Sequence, residues 1–164
     1  MRHHILRSLA LVAALAAGPA LAQGTGISLS PIEIDGSQPI EVTADNLTVE
    51  QDSNSAVFEG NARVVQGDLI LSANKILVRY NAEQTGIERV EATSNVMFTN
   101  GTEIAESQSG VYTIGSGTVK LSGDVVLVQG INAISGDTLN LDLKTNRGTM
   151  NGNVKTVFVP KTDQ

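Results

Sequence analysis

The sequence predicts an all-β domain built from stacked antiparallel repeats. Three observations indicate this class: short runs that alternate apolar and polar residues, turn residues that recur between them, and two phrases that return about every 30 residues. After the first 22 residues, Val, Thr, Asn, Ser and Gly are frequent and helix-favouring segments are almost absent. The 164 residues are 41% apolar and 17% charged, which is too apolar for a disordered chain.

The first 22 residues have the three regions of a secretory signal peptide. Arg2 and Arg7 give a charged start, residues 9–17 are apolar, and Ala20-Leu21-Ala22 matches a small-x-small cleavage site. We expect cleavage after Ala22 and export to a bacterial periplasm. The alternatives are a buried helix of a cytosolic protein and an uncleaved helix that anchors the chain.

The remaining residues, 23–164, are acidic and lack several catalytic residue types. They number 142, with 9 Lys and Arg against 17 Asp and Glu, so their net charge is −8. The chain has no Cys or Trp, and its only histidines, His3 and His4, belong to the predicted signal. This composition excludes Ser-His-Asp and Cys-His catalysis, imidazole or thiolate metal sites and disulfides. Scattered acidic charge also argues against nucleic acid as a partner. We predict one domain with a short tail after Pro160.

Turn residues divide this domain into short runs. Residues 40–44 and 139–143 alternate apolar and polar side chains, as half-buried antiparallel strands do. Residues 125–128 are apolar on both faces, so we expect them to be covered on both sides or to line a cavity. The predicted turns are Asp35-Gly36, Asp52-Ser53-Asn54, Gly67-Asp68, Asn100-Gly101, Gly115-Ser116-Gly117, Gly123-Asp124, Gly136-Asp137, Asn146-Arg147-Gly148 and Asn151-Gly152.

Two phrases repeat through the domain. The first starts at Val42, Leu71, Ile104 and Ile134, and the second starts at Gly60, Ser94, Gly123 and Gly152. Four units of about 30 residues, each with three or four short strands, predict a stack that extends in one direction. Its terminal strands would have unpaired edges, which must be blunted or used for pairing with another chain.

Acidic residues are the only candidates for catalysis. Asp45, Asp68, Asp124 and Asp137 could supply a carboxylate pair of the glycosidase kind. They follow the repeat instead of gathering at one site, so we interpret them as turn residues. We therefore expect that the chain is not an enzyme and uses no metal or cofactor. The alternative is a secreted β-solenoid that binds or processes a carbohydrate.

The predicted interior is almost entirely aliphatic. The whole chain has three Phe and two Tyr, although a domain of this size buries roughly 68% of its unfolded surface. Such an interior either packs fully or leaves an apolar slot that suits hydrocarbon chains. The residues alone leave both possibilities open.

Several phrases, in the right order, resemble the LptA/OstA-like family of periplasmic lipopolysaccharide-transport proteins. They span residues 38–160, and Asn74 stands where the family usually has Asp. The phrases are QPIEVTAD (38–45), AVFEGNARVVQGD (56–68), LSANKILV (71–78), LSGDV (121–125), GDTL (136–139) and VFVP (157–160).

The resemblance implies an antiparallel β-jellyroll, a twisted, open, solenoid-like stack of about sixteen short strands. Its apolar interior would shield the acyl chains of lipopolysaccharide (its lipid A part). Its ends would pair edge to edge with an inner-membrane-anchored OstA-like partner, an outer-membrane translocon and further copies of itself, forming a bridge across the periplasm. A scaffolding module without lipid cargo, or an adhesin-like structural repeat, is a further alternative.

The resemblance and the alternation together predict the functional residues. Each predicted groove residue has ordinary core packing as its alternative. For the lipid-binding groove we expect Ile40, Val42, Phe58, Ile76, Val78, Met97, Phe98, Tyr112, Ile114, Leu127 and Leu141. For the assembly edges we expect Ile32, Ile34, Val154, Val157 and Val159.

Overall fold

The computed structural model describes residues 24–31 and 38–160, and every regular element in them is a β-strand. No helix in these residues is long and apolar enough to cross a membrane. The predicted signal peptide, residues 1–22, lies outside the described residues. The strands are β1 (Thr25–Ser28), β2 (Glu41–Thr43), β3 (Asn46–Glu50), β4 (Ser55–Gln66), β5 (Leu69–Tyr80), β6 (Ile87–Thr99), β7 (Glu103–Thr113), β8 (Thr118–Gln129), β9 (Asn132–Asp142), β10 (Arg147–Asn151) and β11 (Lys155–Val157).

The strands form one open antiparallel sheet, which confirms the predicted fold class. The order is β1-β10-β9-β8-β7-β6-β5-β4-β2, with β3 also paired to β4 and β11 to β9. From β4 to β10, successive strands are neighbours because short turns join them. The exception is β1, which pairs with β10 at the opposite end of the sheet from β2.

The long strands bend at bulges. Strands β4 to β9 have 11 to 13 residues, and each ladder between them shifts register near its middle. The second repeated phrase supplies these bulges: φ is 80° and 47° at Gly60-Asn61, and 86° and 48° at Gly123-Asp124. Gly, Asn and Asp adopt this left-handed conformation at the lowest cost, which explains why they recur there.

Part of the predicted pattern of turns and strands is wrong, because some predicted turns are bulges or positions inside strands. Gly123-Asp124 and Gly136-Asp137 lie inside β8 and β9 and are not turns. Residues that favour positive φ serve turns and bulges equally well, so composition does not distinguish the two. The predicted count of about sixteen short strands corresponds to eleven longer ones in the described residues. The predicted turn at Asp35-Gly36 lies outside those residues.

The bulges also divide the sheet into two arms whose inner faces meet. A Cβ atom added to Gly110 would lie 3.1 Å from Val96 and 3.8 Å from Leu71, which belong to the other arm. The core therefore lies between the arms. Arm one consists of residues 25–28, 46–50, 55–59, 75–80, 87–93, 109–113, 118–122, 138–142 and 147–151, and arm two of residues 41–43, 62–66, 69–73, 96–99, 103–107, 125–129, 132–136 and 155–157.

Aliphatic side chains fill the middle of this core. Burial of each large aliphatic side chain contributes about 1.5–3 kcal/mol, so the arms hold together mainly by apolar contact. The middle of the stack is therefore fully packed, which was one of the two alternatives for the predicted interior. An apolar slot can lie only at the ends of the stack. The largest side chains that are less than 2% exposed are Ile76, Val78, Val90, Val96, Val119, Leu121, Val125, Leu127, Leu139, Leu143 and Met150.

Candidate lipid-binding interior and assembly edges

Most of the predicted groove residues face the space between the arms. They fall into two groups that differ in exposure. The fully buried group is Ile76, Val78, Phe98, Tyr112, Leu127 and Leu141. The half-buried group, which packs against this core from its margin, is Ile40, Val42, Phe58 and Ile114.

Met97 is the exception, because it lies on the outer face of arm two. Its neighbours Val96 and Phe98 are buried at 1% and 5% exposure, whereas Met97 is 37% exposed. The bulge at Ser94-Asn95 spans two residues and leaves the alternation of β6 unchanged, since the buried positions are even-numbered before it (Val90) and after it (Val96, Phe98). The prediction that Met97 faces the groove is therefore wrong.

Tyr112 connects the two arms across the interior. Its hydroxyl donates a hydrogen bond to Oε1 of Gln66, 2.9 Å away, and both side chains are buried. Burial raises the pKa of the Tyr112 hydroxyl above its ordinary value, so the hydroxyl stays protonated and keeps donating. The sequence predicted Tyr112 as an inward residue but gave no sign of its partner.

The interior is exposed at the end formed by β2 and β3. Leu47 pairs with Phe58 and Val49 with Ala56, so both continue the inner rows of arm one. They are nevertheless 56% and 63% exposed, because none of the described strands lies beyond β3 at this edge. We call this surface the open end and define it by Ile40, Val42, Leu47, Val49 and Phe58. Leu47 and Val49 were not among the predicted groove residues, although the alternation of residues 47–49 could have indicated them.

The other end of arm one is covered by β1 and the residues after it. Ile27 and Leu29 are buried at 6% and 8% exposure. The backbone N–H of Leu29 donates to the Asn146 carbonyl at 2.9 Å, and Gln129 Nε2 donates to the Ser28 carbonyl at 3.0 Å. Asn146 lies in the turn between two segments of arm one, and Gln129 ends a segment of arm two. Ser28 and Leu29 therefore connect the two arms. We call residues 25–30 the cap segment.

Glu103 holds the last residue of the cap segment. Its Oε1 accepts hydrogen bonds from the backbone N–H and the hydroxyl of Ser30, at 2.8 and 2.7 Å, and Asn100 donates to its other oxygen. Burial acts to raise the pKa of Glu103, but hydrogen bonds from Ser30, Asn100 and Gln129 outweigh it and lower the pKa below its ordinary value. No repeat or motif indicated this contact, since it joins residues 73 positions apart.

The predicted assembly edges are described only in part. Ile32 and Ile34 lie outside the described residues. Val154 is half-buried against the core, whereas Val157 and Val159 are 49% and 51% exposed. The short strand β11 pairs only through residues 155–157 with β9, so the described end of the chain adds little to the sheet. Whether these residues pair with another chain remains a prediction.

Three of the acidic candidates, Asp45, Asp124 and Asp137, lie at or against the bulges, whereas Asp68 lies in the turn between β4 and β5. Asp45 accepts a hydrogen bond from Asn61 Nδ2 at 2.9 Å, and its N–H donates to the Gly60 carbonyl at 2.9 Å. At the other end of the repeat, Asp137 makes the same pair of contacts with Asn153 and Gly152. These hydrogen bonds stabilise the backbone at Gly60-Asn61 and at Gly152-Asn153. Within residues 24–31 and 38–160, no group of three or more His, Asp or Glu residues could hold a metal ion.

A family model matches most of the jellyroll. Residues 41–156 match the model described as LptA/(LptD N-terminal domain) LPS transport protein. This range starts at β2 and ends within β11, so it contains most of the open end and every described strand except β1.

Relatives from other bacteria match over a similar length. The chain is 33% identical over 143 residues to an uncharacterized protein of Rhizobium meliloti, covering 82% of this chain and 77% of the relative. It is 29% identical to the lipopolysaccharide export system protein LptA of Haemophilus influenzae, covering 77% and 80%, respectively. It is 28% identical to LptA of Escherichia coli K12, covering 77% and 74%.

A solved structure supports the fold. The crystal structure of LptH from Pseudomonas aeruginosa, described as the LptA-homologous periplasmic component of a lipopolysaccharide transport device, aligns with a TM-score of 0.67 at 18% identity. The alignment covers 77% of this chain and 99% of LptH. Together with the family match over residues 41–156, these likenesses establish that the chain belongs to the LptA/(LptD N-terminal domain) family of lipopolysaccharide transport proteins.

Proposed function

We propose that this chain carries lipopolysaccharide in the periplasm with the acyl chains held between the two arms. The open end is the observation that supports this most directly. There Leu47 and Val49 extend apolar inner rows that are fully buried at Ile76 and Val78, yet more than half of each side chain is exposed. Burial of hydrocarbon against such a surface contributes about 0.8 kcal/mol per CH₂ group.

The packing of the core defines how acyl chains would enter. The protein's own side chains fill the middle of the interior, so a chain that reaches Ile76 or Leu121 requires the arms to separate about the bulges. At the open end no separation is needed, because the inner face of β3 is exposed. We therefore place the first contact with an acyl chain at Leu47, Val49 and Phe58.

We also propose that copies assemble end to end through strand edges. β2 and β3 are the terminal strands of the sheet at the open end, and β1 and β11 are the terminal strands at the opposite end. Such unpaired edges accept a strand from another chain through backbone hydrogen bonds. Pairing would place the open end of one copy beside the covered end of the next, so acyl chains would pass between copies without full exposure to water. The same edges would dock an inner-membrane-anchored relative and an outer-membrane translocon.

Co-elution tests the lipid part of this proposal. Purified residues 23–164 would be applied to a size-exclusion column with lipopolysaccharide or with its delipidated polysaccharide, in about 0.5 M salt to screen charge. We expect retention of the acylated form alone. Retention of both forms would indicate a carbohydrate binder, and retention of neither by folded protein would reduce the role to scaffolding.

A truncation tests the assembly part. Deletion of residues 154–159 should abolish concentration-dependent association measured by light scattering, because it removes β11 and its edge. A chain ending at Pro160 is the matched control and should associate like the full chain. Normal association of the internal deletion would contradict pairing through this edge.

A further inference from the structure

The outer face of arm one holds a concave, basic surface that shielding of acyl chains does not use. It has a volume of about 840 Å³ and lies over strands β6 to β10. Its cations are Arg89 on β6, Lys120 on β8 and Arg147 on β10, and all three are exposed. Neighbouring strands are about 4.8 Å apart, so successive cations are attached roughly 10 Å apart across the sheet.

Two of these cations have no acidic partner. Arg89 Nη1 lies 3.8 Å from Glu91 Oε1, so its charge is partly compensated. Lys120 and Arg147 form no ion pair and no side-chain hydrogen bond with any described residue. Other described cations, such as Arg63 and Lys155, also form no ion pair, so Lys120 and Arg147 are distinguished by lining one concavity together with Arg89.

One acidic residue lines the surface, Asp142, which pairs with Arg147 in the β9–β10 register but forms no ion pair with it. Oδ1 of Asp142 accepts hydrogen bonds from the backbone N–H groups of Lys144 and Thr145, each at 3.0 Å. Asp142 therefore stabilises the turn after β9. Its charge lowers the potential of the surface but leaves Lys120 and Arg147 as donors without a protein acceptor.

Neutral polar side chains form the rest of the surface. Thr113, Asn140 and Thr149 lie among the cations, and their side chains make no hydrogen bond with any residue that the structure describes. They offer hydroxyl and amide groups that both donate and accept.

We propose that this surface binds a phosphorylated saccharide. Unpaired Lys and Arg side chains recognise phosphate through charge-assisted hydrogen bonds, and hydroxyl and amide groups match the hydroxyls of a sugar ring. Cations on separate strands favour a ligand whose phosphates are carried on more than one sugar. The site lies on the opposite side of arm one from the interior, so it acts independently of acyl-chain binding.

A titration followed by NMR tests the proposal with a probe that lacks acyl chains. The probe is a bis-phosphorylated glucosamine disaccharide, compared with the same disaccharide without phosphate and with inorganic phosphate. We expect the phosphorylated disaccharide to shift the amide signals of β7 to β10 within arm one and to bind at least about tenfold more tightly than either reference. Equal binding of inorganic phosphate, or no shift in these strands, would overturn the proposal.

A pair of variants separates a built site from net charge. K120Q/R147Q removes two charges from the surface, and K75Q/K155Q removes two exposed charges elsewhere. We expect the first variant to weaken binding of the phosphorylated disaccharide about tenfold and the second to change it less than about twofold. Equal weakening by both variants would mean that overall charge, and not this surface, governs binding.

Discussion

The inward-facing rows of apolar side chains reach both ends of the sheet, but their exposure differs between the two ends. At the open end, Leu47 and Val49 are more than half exposed, whereas at the covered end Met150 is fully buried and Ile27 is only 6% exposed. The difference comes from topology: β1 pairs with β10, whereas among residues 24–31 and 38–160 no further strand pairs with the outer edge of β3. One repeated sequence pattern thus gives an apolar surface at one end and a closed core at the other, which gives the molecule a direction.

The largest expected effect comes from charge at the open end. L47D/V49D should reduce co-elution with lipopolysaccharide about tenfold or more, because an acyl chain would then contact carboxylates. Both positions are exposed, so the free energy of unfolding should change by only about 0.5 kcal/mol. I104D/V128D is the control, since these residues are 44% and 41% exposed on the outer face of arm two. Equal loss in both variants would break the comparison between inner and outer faces.

Truncation to alanine should lower the free energy of unfolding much more at the covered end than at the open end. M150A leaves a cavity in a fully buried site and should lower the free energy of unfolding by about 2–5 kcal/mol. L47A removes a side chain that is already 56% exposed and should cost about 0.5 kcal/mol or less. Urea unfolding of the two variants measures both values. Similar losses would mean that the open end is closed in solution.

The cap segment should loosen in acid. The pKa of Glu103 is lower in the folded chain than its ordinary value of 4.5, so Glu103 stabilises the fold above that value. The stabilisation is lost as the pH falls through the lowered pKa. At pH 7, E103Q should cost about 1–2 kcal/mol, with a flatter dependence on acid. Hydrogen exchange at the Leu29 amide reports this locally, and identical acid profiles for both proteins would contradict it.

The smallest effect should come from the hydrogen bond that joins the arms. Y112F removes the donor to Gln66 and should destabilise the fold by about 1 kcal/mol. Y80F is the control, because the Tyr80 hydroxyl makes no hydrogen bond with any described residue. Denaturant unfolding measures both, and an equal effect of the two variants would show that the Tyr112 bond adds nothing.

The repeat made much of the fold predictable. Recurrent Gly-Asn and Gly-Asp pairs marked irregular points of the backbone, although Gly123-Asp124 forms a bulge inside β8 and not the predicted turn. Alternation placed Ile76, Val78, Leu127 and Leu141 inward. The resemblance failed at Met97, because adjacent residues of a strand face opposite sides and Phe98 is the one that faces inward. The contact between Ser30 and Glu103 was not predictable, since it depends on where β1 crosses the sheet.

The open end was predictable only in part. Ile40, Val42 and Phe58 followed from the family resemblance and from alternation, but the exposure of Leu47 and Val49 depends on which strand ends the sheet. A local pattern specifies which face a side chain takes and not whether another strand covers it. Exposure is therefore the property that sequence analysis predicted least well.

Paramagnetic NMR tests the central claim most directly. The protein, labelled at its methyl groups, would be mixed with lipopolysaccharide that carries a nitroxide on an acyl chain. We expect strong broadening of the Leu47 and Val49 methyl signals and little broadening of Ile104 and Val128 on the outer face of arm two. Broadening of Ile104 and Val128 with sharp signals from Leu47 and Val49 would contradict acyl-chain binding between the arms.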